Sequence, residues 1–182
     1  MRRMFFLLLL SLAACSQAPA PTPMSGMDHS TMNMPSANVP YDALFIDSMI
    51  VHHEGAVTMA RQALQESQRP EIRQLAEAII ATQEAEVAQM KAWRQMWYPD
   101  LPPTGGMAME MGPMTVAEGD APFDQRFIKA MIPHHEGAIA MARDALQNAE
   151  HAEIKELARA IMTAQEAEIR QMQEWLHTWF NQ

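Results

Sequence analysis

The chain contains itself twice. Residues 42–98 align with residues 124–180 at a constant offset of 82 positions, without a gap and with about thirty identities. An ungapped duplication means that each copy folds as the same unit, and that whatever face one copy must bury the other must bury too. In the first copy Ile46, Met49, Ile50, His53, Val57, Ala60 and Leu64 recur at helical spacing, with Ala56 and Ala63 beside them. This predicts a helix from Asp42 to Ser67. Pro70 fits the first turn of a second helix, whose stripe is Ile72, Leu75, Ile79, Gln83, Glu86, Met90, Trp93 and Trp97, and Pro99 ends it. The second copy gives helices from Ala121 to Ala149 and from His151 to Phe180. Two helical hairpins joined by one long crossover, residues 99–121, make an all-α four-helix bundle over 41–180, roughly 40 Å long.

The N-terminal residues read as a targeting segment. Arg2 and Arg3 supply a positive start, and the apolar run Met4 to Leu12 is too short to span a bilayer. Leu12-Ala13-Ala14-Cys15 resembles a bacterial lipobox, so residues 1–15 are expected to be a lipoprotein signal peptide, with Cys15 lipidated and the exported chain held to a membrane by that anchor. Cys15 is the only cysteine, so a lipidated chain has no thiol left for a disulfide or a Cys-ligated metal. Residues 16–40 are rich in Pro, Ser, Ala and Met without period, and read as a flexible tether. A net charge of −9 with scattered Lys and Arg excludes nucleic acid as a partner and favours a cation.

The strongest compositional bias is 18 Met against 1 Cys. Met24, Met27, Met32 and Met34, with His29, fall in the tether, and Met107, Met109, Met111 and Met114 fall in the Gly- and Pro-rich crossover, itself expected to be loose. Thioethers gain nothing from packing in a solvated linker, whereas two or three on a flexible chain can wrap a soft monovalent ion. Within the repeats, His53 and His135 lie near the middle of apolar faces, and His52 and His134 lie about 100° round the helix, at the edge. A buried imidazole needs partners, and the facing stripes offer Gln83 and Glu86, or Gln165 and Glu168. Met49, Met59 and Met90, with their counterparts Met131, Met141 and Met172, sit within a turn of these groups. Imidazole suits copper in both oxidation states and thioether selects Cu(I), so the mixed set points to Cu(I) and Cu(II). Two other readings stay open: a hydrogen-bonded histidine network with no metal in a structural lipoprotein, and a di-iron oxidase or peroxidase. The second needs paired Glu-x-x-His motifs, and the chain has one such motif, Glu174 to His177. Gly55 and Gly137, inside helices beside the histidines, suggest close helix approach, and Pro133 should kink the third helix.

The repeated string Met49-Ile50-Val51-His52-His53-Glu54-Gly55-Ala56-Val57-Thr58-Met59-Ala60, answered by Met131-Ile132-Pro133-His134-His135-Glu136-Gly137-Ala138-Ile139-Ala140-Met141-Ala142, resembles the hallmark of the DUF305 family. So do Gln83-Glu84-Ala85-Glu86-Val87-Ala88-Gln89-Met90-Lys91-Ala92-Trp93 and Gln165-Glu166-Ala167-Glu168-Ile169-Arg170-Gln171-Met172-Gln173-Glu174-Trp175. The resemblance covers nearly all of 41–180 and occurs twice. It implies an exported, ferritin-like bundle with a role in periplasmic copper binding and resistance, a binding protein and not an enzyme, with a copper exporter or oxidase as the kind of partner it would serve. The run Met24-Ser25-Gly26-Met27-Asp28-His29-Ser30-Thr31-Met32-Asn33-Met34 is similar to Met-rich motifs of exported copper-resistance proteins and implies a second set of Cu(I) ligands.

Overall fold

The computed structural model describes residues 39–182. Cys15 and the tether residues Met24, Met27, His29, Met32 and Met34 lie outside the described residues, together with the lipid anchor and tether read from them. Four helices and no strand occur among the described residues: α1 (Tyr41–Glu66), α2 (Pro70–Trp97), α3 (Phe123–Asn148) and α4 (Ala152–Phe180). The bounds fall within two residues of the sequence expectation because proline punctuates them. Pro40 and Pro122 immediately precede α1 and α3, and Pro70 is the first residue of α2. A fixed φ near −65° and a missing N–H cost nothing at these positions, where the amide would have no intrahelical acceptor. Ser67 and Ala149 then leave α1 and α3 in extended conformation, giving short turns. α3 continues through Pro133.

Each hairpin packs along its length, and the two hairpins meet chiefly through α1 and α3. The apolar core is divided in two. One cluster joins Phe45, Ile46, Met49 and Met90 of the first hairpin to Met141, Ala142, Ile154 and Ile161 of the second. The other joins Met59, Ala60, Ile72 and Ile79 to Phe127, Ile128, Met131 and Met172. The start of α1 therefore lies against the end of α3, and the reverse, so the helices cross antiparallel. The repeat offset exchanges the clusters residue for residue, as a pseudo-twofold axis between the hairpins requires.

A clasp at each end ties one hairpin to the turn of the other. Asp42, buried in the first turn of α1, accepts the backbone N–H groups of Glu150 and His151, both at 2.9 Å, and His151 Nδ1 at 2.6 Å. The His151 ring stacks on Trp97 with centroids 3.8 Å apart. At the opposite end Asp124 pairs with Arg69 at 3.1 Å, and the guanidinium lies 4.4 Å from the Trp179 ring centroid. The plan is the same with one exchange, histidine for arginine.

The crossover, expected to be loose, is laid along the groove between α1 and α3. Asp47 Oδ2 accepts the Thr104 N–H at 2.7 Å, Ser48 Oγ accepts the Met107 N–H at 2.6 Å, and Arg94 donates to the carbonyls of Tyr98, Leu101 and Pro102. Met107 and Met109 pack on one core cluster and Val116 is buried in the other. Sequence periodicity could not show this, because the strap is held by backbone groups that every residue carries.

Candidate metal centre

The gap between the two apolar clusters is filled by a layer of four fully buried histidines, His52 and His53 from α1 and His134 and His135 from α3. The residues placed at the edge of each face by helical spacing, His52 and His134, meet across the pseudo-twofold, with ring centroids 3.8 Å apart and planes inclined by 42°. His53 and His135 point outward to the second helix of their own hairpin. His53 Nε2 donates to Glu86 Oε2 at 2.8 Å, and His135 Nε2 donates to Glu168 Oε2 at 2.6 Å. With the ring neutral and the carboxylate ionised, Nε2 carries the proton and Nδ1 keeps its lone pair, the tautomer a metal-ligating imidazole needs.

The layer is short of partners. Both ring nitrogens of His52 and of His134, Nδ1 of His53 and of His135, and Oε1 of Gln83 and of Gln165 are buried without a hydrogen bond. The glutamines thus line the layer's edge but do not satisfy the histidines, contrary to the sequence expectation. A cavity of about 10 Å³ between α2 and α4, lined by Gln83, Glu86, Gln165 and Glu168, has room for about one water beside them. The His52–His134 pair has no such relief, and each buried polar atom left unpaired costs about 1–3 kcal/mol. Burial, then the adjacent imidazoles His53 and His135, push the His52 pKa down to about 3. Nearby backbone at His134 and Met111 opposes this without making a hydrogen bond to the ring. Burial, then His52, His135 and His53, push His134 down to about 2. At neutral pH both rings are uncharged and each keeps a lone pair.

Thioethers come from two sources. Met49, Met90 and Met141 in one cluster, and Met59, Met131 and Met172 in the other, are fully buried in the apolar core. The crossover supplies the rest. Met107, Met109, Met111 and Met114 are all half-buried, and a Cβ built on Gly55 would lie 2.8 Å from Met114 Sδ and 3.2 Å from His134 Nε2. One built on Gly137 would lie 2.9 Å from the Glu110 carbonyl and 3.2 Å from His52 Nε2. The two helix glycines therefore make room for the crossover over the histidine pair and for the imidazole that reaches over from the opposite helix. Gly112, at φ +67°, lets the crossover turn where any side chain would strike the His134 backbone at 2.8 Å. No group of three or more His, Cys, Asp or Glu side chains suited to a metal ion occurs among the described residues. Glu174 and His177 are exposed near the end of α4, outside the layer. The donors that converge are imidazole nitrogen and thioether sulfur, a soft set.

The chain matches the profile of the family described as "Domain of unknown function (DUF305)" over residues 14–94 and 42–176. No curated protein sequence matches it. Among solved structures it is similar to CopM in the Cu(I)-bound form, at 40% identity and a TM-score of 0.65, covering 76% of this chain and 97% of that one. CopM in the Cu(II)-bound form is 38% identical, with a TM-score of 0.66, over 78% of this chain and 99% of that one. A DUF305 protein from Streptomyces coelicolor, described as secreted, is 30% identical, with a TM-score of 0.63, over 74% of this chain and 89% of that one.

Proposed function

The chain belongs to the DUF305 family, and from that premise we propose that it is a copper-binding protein of the cell envelope, sequestering the ion or handing it on. The observation that carries this reading is the His52–His134 pair: two neutral imidazoles, 3.8 Å apart, with four buried ring nitrogens that nothing in the fold satisfies. A fold that leaves such atoms unpaired between two complete apolar clusters is destabilised by them unless a ligand takes them up. Methionine sulfur beside neutral imidazole suits Cu(I), and imidazole alone accepts Cu(II). CopM, solved with Cu(I), with Cu(II) and with Ag, supports the same choice of ion.

Roles divide by position. His52 and His134 are the central donors, and His53 and His135 present Nδ1 from rings oriented by Glu86 and Glu168. Met114 and Met111 approach from the crossover. The six core methionines Met49, Met59, Met90, Met131, Met141 and Met172 supply polarisable sulfur in the two apolar clusters, and the tether residues Met24, Met27, His29, Met32 and Met34 form a second set of donors. Export and a lipid anchor at Cys15 would hold both sets at a membrane surface, where a copper exporter or oxidase could exchange ions with them. The chain acts as a carrier and not as an enzyme in this reading, since the paired Glu-x-x-His geometry of a di-iron centre has no counterpart in the layer.

Metal analysis of protein purified from cultures supplemented with copper and iron tests the proposal. Copper should co-purify, and a His52→Ala/His134→Ala variant that keeps its helical content should lose the copper resistant to dialysis. Iron in place of copper, or unchanged copper in the variant, would overturn it. Labelling with a radioactive fatty acid should mark the wild type and not Cys15→Ala; equal labelling would remove the anchor.

A further inference from the structure

The small cavity between α2 and α4 has a lining that the histidine layer does not explain. Its walls come in pairs related by the repeat offset, Ile79 with Ile161, Gln83 with Gln165 and Glu86 with Glu168, so it lies on the pseudo-twofold axis. Both glutamines are 3% exposed, and Oε1 of each is buried without a hydrogen bond. The glutamates are 14% and 21% exposed, and each gives Oε2 to a histidine, which leaves Oε1 over. The four polar residues bordering this space of about 10 Å³ thus bring four acceptor oxygens, and no Lys, Arg or His side chain lines it.

We infer that this cavity is a site for one hard divalent cation of the Ca(II), Mg(II) and Mn(II) class, held by the carboxylates of Glu86 and Glu168 and the amide oxygens of Gln83 and Gln165. The site is separate from the His52–His134 pair and does not depend on the copper reading. A single water donates two hydrogens and so satisfies at most two of the four acceptors, whereas a cation attracts all four. Carboxylate and carbonyl oxygen suit hard divalent ions, while Cu(I) and Ag(I) prefer sulfur and imidazole. Hard divalent ions sit about 2.0–2.6 Å from oxygen, closer than the ~2.7–3.0 Å of a water hydrogen bond, so a space that admits one water admits one ion. The two carboxylates match the charge of the ion, and their partial exposure lets water complete its coordination. The hairpins meet chiefly through α1 and α3, so an ion bound between α2 and α4 ties them together a second time.

The test is titration of Mn(II) into the metal-free full chain, with free ion counted by electron paramagnetic resonance and Ca(II), Mg(II) and Ag(I) added as competitors. One Mn(II) per chain should bind saturably, Ca(II) and Mg(II) should displace it, and Ag(I) should not. Gln83→Met/Gln165→Met, which removes both amide oxygens at similar volume, should weaken binding about tenfold or more. Glu84→Gln/Glu166→Gln, which removes two exposed carboxylates paired with Arg61 and Arg143 on the same hairpins, should stay within twofold of the wild type. In the unaltered chain, where no variant has to fold, substoichiometric Mn(II) should broaden the methyl resonances of Ile79 and Ile161 before those of Ile72 and Ile154, two turns away on the same helices. Absence of saturable binding, displacement by Ag(I), unchanged binding in the glutamine variant, equal loss in both double variants, or broadening that spares Ile79 and Ile161 would each overturn the site.

Discussion

His52 and His134 are neutral because the fold denies them water, and that has a cost which pH exposes. In the unfolded chain each imidazole takes up a proton near pH 6.5. In the folded chain they do so only near pH 3 and pH 2. Between those values the unfolded state holds more protons, so this contribution to stability is intact above pH 6.5 and is lost as pH falls toward 3. Two such rings account for up to about 4 kcal/mol between pH 7.5 and pH 5. The melting temperature of metal-free protein should therefore fall steeply over that range and fall less in a His52→Gln/His134→Gln variant; parallel curves would show that the pair is not the source. Glu86 acts on the layer through His53. Replacing its carboxylate by the weaker acceptor of Glu86→Gln removes the charge that fixes the tautomer, and should lower copper affinity about 10- to 100-fold without unfolding the bundle, as read by competition with a chromogenic Cu(I) chelator. Unchanged affinity would leave Glu86 a purely structural partner.

At the scale of elements, helices and crossover were legible to very different degrees. The four helices follow from apolar spacing and from Pro40, Pro70 and Pro122, and the pairing of His53 with Glu86 follows from polar residues standing on apolar stripes. The meeting of His52 with His134 did not follow, since helical spacing places both at a face edge and only the antiparallel crossing of α1 and α3 brings those edges together. Nor did the docking of residues 99–121, whose anchors are backbone amides on Asp47 and Ser48. Glycine composition there suggested looseness; the positive φ of Gly106 and Gly112 shows glycine used to shape a tight path. Gly112→Ala would impose about 1–2 kcal/mol of left-handed strain and drive a methyl into the His134 backbone, so the crossover should lift. Limited proteolysis should then cut within 99–121 under conditions that leave the wild type whole, and equal resistance would mean that the strap tolerates the change.

At the scale of the molecule, residues 39–182 are two hairpins that share one layer, and neither hairpin owns a complete pair: each contributes one member of His52–His134 and part of each apolar cluster. Since the two members occupy the same place in the repeat, a single hairpin could rebuild the arrangement against another copy of itself. A fragment of residues 39–98 should sediment as a helical dimer, and a folded monomer or a disordered chain would refute this. The feature behind that expectation is the pseudo-twofold axis, the signature of a symmetric partnership of identical polypeptides later written into one gene. Fusion made the two halves stoichiometric for good, and it freed each to drift: one turn came to carry arginine where the other has histidine, and inheritance became individuality.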